Sequence, residues 1–232
     1  LNRGLERFDA VVPSGNSGNI FSLDAARHSG VPVGKIVVAT NHNDVLYRAF
    51  MTGIYKKGVV HPSTSPSMNI QVSSNFERIV FEDSGRNGEH VALLWDELKR
   101  TGKCNLRFML PAWEGKWEAG SASEPEVLAT IRKVFEVYGE RVVDPHTAVA
   151  VSVAWQLYGE NISRMRQGTK WPVIVAETAL AHKFPDTVEP IIGRKLPLPP
   201  AWADLMTLPE VFQCIGKDAE ESKRYIIKNI RV

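Results

Sequence analysis

The sequence predicts an α/β fold, a mainly parallel sheet with helices on both faces. Two observations carry that expectation. The first is an apolar run, Phe8 to Val12, followed by a loop of small residues, a helix-like run from Gly18 to Ser29 and a second apolar run from Lys35 to Thr40. Strand, loop, helix and strand within roughly 30 residues is the size of one βαβ unit. The second is the continued alternation of short apolar runs with helical patterns further along the chain, which implies parallel strands covered on both sides.

The elements follow in order. In the loop Pro13-Ser14-Gly15-Asn16-Ser17-Gly18-Asn19 the two glycines permit positive φ and a close approach to the backbone. Free N–H groups at the start of the helix would make it a site for an anion. The spacing is neither GxGxxG nor a P-loop, so a nucleotide is not indicated. An ordinary tight turn is the competing reading. Asn41 to Gly53 reads as a turn and a helix capped by Asp44. His61 to Met68 holds two prolines among hydroxyl residues and predicts no regular element. Ser74 to Arg78 opens a helix through Phe81, and a second runs from Gly88 to Arg100 with Val91, Leu94, Trp95 and Leu98 on one face.

Trp113 to Gly120 reads as a surface connector. Ser123-Glu124-Pro125-Glu126 is a helix start with a hydroxyl cap, acids and a first-turn proline, and that helix runs to Tyr138. Arg141 to Val143 reads as extended. Asp144-Pro145 starts a helix whose body, Ala148 to Tyr158, is nearly all apolar and should be buried. Trp171 to Ala176 reads as a buried strand ending at Glu177 and Thr178. A proline-rich link, Leu196 to Pro200, leads to a tail read as a strand from Glu210, a turn at Gly216 and a helix capped by Asp218. The expected division is residues 1–200 and 201–232. Ligands in such sheets bind beyond the carboxyl ends of strands. This singles out the Ser14–Asn19 loop, Asp144–Thr147 and Glu177–Thr178.

Composition narrows the classes. Of 232 residues, 44% are hydrophobic and 23% charged, ordinary for a globular protein. A net charge of +2 does not point to nucleic acid or an anionic membrane. No apolar run reaches membrane-spanning length. Cys104 and Cys214 lie far apart in neutral surroundings, which predicts free thiols in a reducing, cytoplasmic compartment rather than a disulfide or a metal site.

Several segments in this order resemble threonine synthase: Val12 to Asn19, Ala39 to Asp44, Ser65 through Ser73-Ser74-Asn75-Phe76-Glu77-Arg78, Asp144-Pro145-His146-Thr147-Ala148-Val149, and Glu177-Thr178-Ala179 through Lys183-Phe184-Pro185. The resemblance runs from Phe8 to the C-terminal helix. It implies a fold-type II, tryptophan synthase β-like fold and pyridoxal phosphate (PLP) as cofactor. It further implies that Ser14, Gly15, Asn16, Ser17, Gly18 and Asn19 hold the cofactor phosphate, and that Thr178 meets the pyridine nitrogen. The implied reaction converts O-phosphohomoserine and water to threonine and phosphate, with Asn75, Arg78 and His146 as candidate substrate contacts.

The family's Schiff-base lysine lies in a motif resembling His-Gly-Pro-Thr and Phe-Lys-Asp, which does not occur here. Lys183 belongs to the C-terminal motif. The chain therefore reads as a C-terminal half that carries phosphate and ring contacts but no catalytic residue of its own. It would act with the missing N-terminal half, or as a truncated, noncatalytic binding or signalling module. An unpaired strand edge would favour self-association, or disorder near residues 1–10 and 60–72. The sequence also departs from the family at Ser17, at Ala150 and along Thr178–Phe184.

Overall fold

The computed structural model describes residues 6–159, 171–205 and 207–230. The chain divides into two compact units, between Leu196 and Pro197. The first unit is built on a 4-stranded parallel sheet. Its strands are β1 (Phe8–Pro13), β2 (Val33–Thr40), β5 (Trp117–Ser121) and β6 (Val173–Val175), in the order β5-β2-β1-β6. A separate antiparallel pair, β3 (Ile54–Lys56) and β4 (Lys103–Asn105), is too short to be read from the sequence.

Strand periodicity sorts the core. Ala10, Val12, Ile36 and Val38 face one cluster, while Val11, Val37 and Ala39 face the other. Successive strand residues point to opposite faces, and both faces here are covered, so β1 and β2 read as unbroken apolar runs. The first cluster is closed by α1 (Gly18–His28), α2 (Val45–Thr52), α3 (Phe76–Asp83), α4 (Gly88–Thr101) and the short α5 (Leu110–Trp113). The second is closed by α6 (Glu124–Val137), α7 (Pro145–Tyr158) and α8 (Pro185–Ile192). Each fully buried Val or Ile in these layers contributes roughly 1.5–3 kcal/mol.

Three helix starts differ in their chemistry. Asn87 caps α4 by accepting the His90 amide at 3.0 Å. At α6, the Glu126 carboxylate accepts from the Ser123 amide at 2.7 Å and from its hydroxyl at 2.6 Å. The Ser123 hydroxyl and amide hold the Glu126 carboxyl below its ordinary range. Asp44 precedes α2 as expected but makes no side-chain cap; its carboxylate accepts from Arg48 Nε at 2.8 Å instead.

Several expectations are corrected. The segment assigned to a surface connector contains β5, whose Trp117 and Ala119 are buried against the first cluster. Its two glycines, Gly115 and Gly120, and its charged residues hide the strand pattern. The strand expected over Trp171–Ala176 shortens to Val173–Val175 and is an edge, paired on one side to β1, with Ile174 45% exposed. Arg141 to Val143, expected to be extended, lies in no helix or strand, and Val143 is buried. The loop at 61–68, expected to hold no regular element, includes one 3-10 turn, Pro66–Met68. Residues 60–72 are not loose: Met68 is buried and Asn41 donates to Ser63 and Ser65. Of the other expected disordered stretch, residues 1–5 lie outside the described residues.

In the second unit, Pro197–Val232, the helix α9 (Ala219–Asn229) starts at Asp218, whose carboxylate accepts the Glu221 amide at 3.1 Å. Residues 210–215 form no strand, because no described strand pairs with them. Both cysteines are free, Cys104 buried and Cys214 exposed. Among the described residues no helix is long and apolar enough to cross a membrane.

Gly120 on β5 sets how closely α7 can approach the sheet. A Cβ there would lie 2.5 Å from Val153 Cγ1. Gly120→Ala should therefore destabilise the fold by about 1–3 kcal/mol, read from the urea midpoint; an unchanged midpoint would mean that α7 does not pack on the strand this way.

Candidate functional site

The carboxyl ends of β1 and β6 lie side by side. Val11 pairs with Val175, so Pro13-Ser14 and Glu177-Thr178 leave the sheet at the same end. The β1 ladder closes with the Ser14 amide donating to Ala39 O at 2.9 Å. Beyond it the chain turns into α1. Among the described residues, the amides of Gly15, Asn16, Ser17, Gly18 and Asn19 donate to no acceptor in the protein. They lie at the N-terminal end of α1, where the helix dipole favours an anion.

The loop's side chains are committed elsewhere. Ser14 Oγ donates to Asn19 Oδ1 at 3.0 Å, and Asn19 Oδ1 also accepts the Ile20 amide at 3.0 Å. Asn19 Nδ2 donates to Pro13 O. Asn16 Oδ1 accepts from Ser74, and Asn16 O accepts from Asn75 Nδ2 at 2.9 Å. The positive φ expected of the glycines belongs to Ser17, at 60°. That conformation costs a serine about 1–2 kcal/mol. The buried contact of its hydroxyl with Ser73 Oγ at 2.6 Å holds it there. The glycines serve close approach: a Cβ on Gly15 would lie 2.7 Å from Ser67 O.

A cleft of about 480 Å³ opens here, within the roughly 300–1,000 Å³ of small-molecule sites. Gly15, Asn16, Gly18 and Asn19 line one side. Asn75, His146 and Thr178 also line it, as the sequence expects. Ser67, Met68, Lys183 and Phe184 line it too, with Pro13 and Ala179. Lys183, which the sequence places only in the C-terminal motif, brings a cation to this cleft from the turn Ala181–Lys183 that follows β6.

Ser14 and Ser17 are not among the lining residues, since both are buried behind the loop. Arg78 is displaced further. Its guanidinium lies 5.6 Å from the Phe21 ring centroid, on the outer side of α3, and lines a different depression. Residues three apart are neighbours on a helix, so the spacing alone does not separate Arg78 from Asn75; the guanidinium leaves the cleft because it turns to the Phe21 ring.

His146 is organised by the cap of α7. Asp144 Oδ1 accepts the His146 amide at 2.8 Å and sits 2.9 Å from His146 Nδ1. A carboxylate can only accept, so Nδ1 carries the proton. The His146 ring packs against Phe184, with centroids 5.0 Å apart. His146 Nε2 is buried without a partner among the described residues. Asp144 Oδ2 accepts from the Thr147 hydroxyl, and Thr147 Oγ1 in turn lies 3.4 Å from the Thr178 amide. One carboxylate thus links the histidine and the segment that bears Thr178.

Burial opposes ionisation of Asp144, but the hydrogen bonds from His146 and Thr147 outweigh it and hold the carboxyl below its ordinary value. A depressed carboxyl stabilises the fold above the unfolded pKa of about 3.9 and loses that contribution as pH falls through the lower folded value. Asp144→Ala should cost about 1–3 kcal/mol near neutrality. The gap from wild type should narrow below about pH 4. Urea unfolding across pH checks this; a gap that does not change with pH would mean that the ionised carboxylate is not what stabilises the cap.

A family model described as "Threonine synthase, C-terminal" matches residues 147–226. The chain is 40% identical over 196 residues to threonine synthase of Pseudomonas aeruginosa, covering 84% of this chain and 40% of that protein. It is 36% identical to the threonine synthase of Methylobacillus glycogenes, covering 95% of this chain and 46% of that one. Among solved structures, PLP-bound threonine synthase from Brucella melitensis superposes with a TM-score of 0.82 at 34% identity, over 100% of this chain and 48% of that chain. Threonine synthase from yeast gives a TM-score of 0.79 at 28% identity, over 98% of this chain and 48% of its own. The chain thus spans about half the length, or somewhat less, of the relatives it matches. With the sheet, the loop and the motifs in the same order, it belongs to the threonine synthase family and corresponds to its C-terminal portion.

Proposed function

We propose that this chain supplies the phosphate- and ring-binding part of a PLP-dependent threonine synthase, which converts O-phosphohomoserine and water to threonine and phosphate. The observation that carries the reading is the row of undonated amides, Gly15 to Asn19, on a cleft that also holds Thr178. Two features support a fit to the cofactor. Gly15 has no side chain where one would strike Ser67 O, and the buried His146 Nε2 waits without a partner.

When bound, PLP supplies the electron sink that stabilises negative charge on the substrate carbons. The protein's part is binding and orientation. The loop amides and the α1 N-terminus hold the phosphate dianion. The Thr178 hydroxyl meets the ring nitrogen as a neutral partner. Unlike a carboxylate, it does not hold that nitrogen protonated. His146, fixed through Nδ1 by Asp144, holds or passes a proton at Nε2. Asn75 and Lys183 give the cleft donors for an anionic substrate. Arg78, facing away, has no part in this reading.

The covalent anchor is not among these residues, because the chain does not contain the family's lysine motif. We therefore propose that turnover requires the portion that carries it. The outer edge of β6 pairs with no described strand and Ile174 is exposed, which supports docking of further sheet along that edge.

Gly15→Ala should weaken PLP binding by about tenfold or more, followed by calorimetry with circular dichroism as the folding control. Adding the N-terminal portion of a threonine synthase together with O-phosphohomoserine should release inorganic phosphate. A folded wild-type chain that binds no PLP, or a well-formed complex that releases no phosphate, would contradict the reading.

A further inference from the structure

We propose that Asn41, which does not line the cleft, is a positioning residue that sets the width of the cleft by holding its opposite wall. Asn41 follows β2 directly and is fully buried. Its carbonyl accepts from Ser121 Oγ at 2.9 Å, which ties it to the end of β5. Its Nδ2 lies 2.9 Å from both Ser63 Oγ and Ser65 Oγ, and 3.3 Å from Asn69 Oδ1. Its Oδ1 accepts the Asn43 amide at 2.9 Å. The side chain is satisfied on every side, as a buried amide must be.

The anchors bracket the wall. Ser63 and Ser65 stand before the Pro66–Met68 turn and Asn69 after it. Asn69 Oδ1 is held a second time, by Asn43 Nδ2 at 3.2 Å and by the Ser63 hydroxyl. Between the anchors the Met68 amide donates to Ser65 O at 2.9 Å and the Asn69 amide to Pro66 O at 3.0 Å, which leaves no slack. The segment so held presents Ser67 and Met68 to the cleft, with Ser67 O set against Gly15. The separation between the amide loop and its facing wall is therefore set from the end of β2, with Asn41 as the hub of the contacts and Asn43 beside it. A buried polar network that is fully satisfied rigidifies in this way, and losing its hub leaves several groups unpaired together.

The consequence for ligand affinity rests on the function proposed above; the hold on the wall does not. The test uses the full chain, Asn41→Ala, and Asn41→Asp as a variant that keeps the volume and lets the serine hydroxyls donate to it. Hydrogen exchange at the Met68, Asn69 and Ile70 amides is measured, with the Val37 and Val38 amides as internal controls. PLP and inorganic phosphate affinities are measured by calorimetry well below the melting temperature. In Asn41→Ala, exchange at the wall should rise about tenfold or more and PLP affinity should fall about tenfold, with the β2 amides unchanged; Asn41→Asp should lie between. Wall exchange unchanged in both variants overturns the proposal, as does faster exchange with undiminished PLP affinity. If wild type binds neither PLP nor phosphate, the proposed function fails, and the exchange measurement alone decides whether Asn41 holds the wall.

Discussion

The parallel pairing of β1 between β2 and β6 is the constraint on which the rest depends. It buries alternate residues of β1 and β2 in two separate cores. It also fixes register, so Ser14 and Thr178, far apart in sequence, emerge at one end of the sheet. A shift of one residue would exchange the two faces of each strand and move those ends apart. The ladder stops at the Ser14 amide, and among the described residues the amides after it, Gly15 to Asn19, meet no acceptor. Fold and site are thus two ends of the same hydrogen-bonded register.

At that end the apolar layers give way to polar networks, each anchored by one buried side chain. Asp144 serves the α7 side. It caps the helix, sets the His146 tautomer and, through Thr147, meets the segment that bears Thr178. Asn41 serves the β2 side, and Ser17 with Ser73 locks the loop's left-handed residue. Groups that would be costly to bury alone are each given partners. His146 Nε2, on the cleft, is among the buried polar atoms that have no partner among the described residues.

Much of this was legible in the sequence where local chemistry decides. The βαβ unit, the Ser123 and Asp144 helix starts and the three site segments follow from periodicity and capping, and the motif order carries the family. The remainder depends on tertiary context. β5 carries a tryptophan, a glycine and a glutamate, which only pairing with β2 turns into a strand. The β3–β4 ladder is three residues long on each side, too short for a period. Arg78 shares a motif with Asn75 but its guanidinium turns away to Phe21, and Ser17 rather than a glycine takes positive φ because Ser73 is there to hold it. Neither fact is local.

The chain spans about half the length of the relatives it matches. The central claim is that the Gly15–Asn19 amides receive the phosphate of PLP while Thr178 meets its ring. Amide-resolved NMR titration of the chain with PLP tests it most directly. The account predicts the largest shifts at residues 15–19 and at Thr178, with inorganic phosphate reproducing the first set and not the second. Shifts confined to other surfaces, or none at saturating ligand, would contradict it.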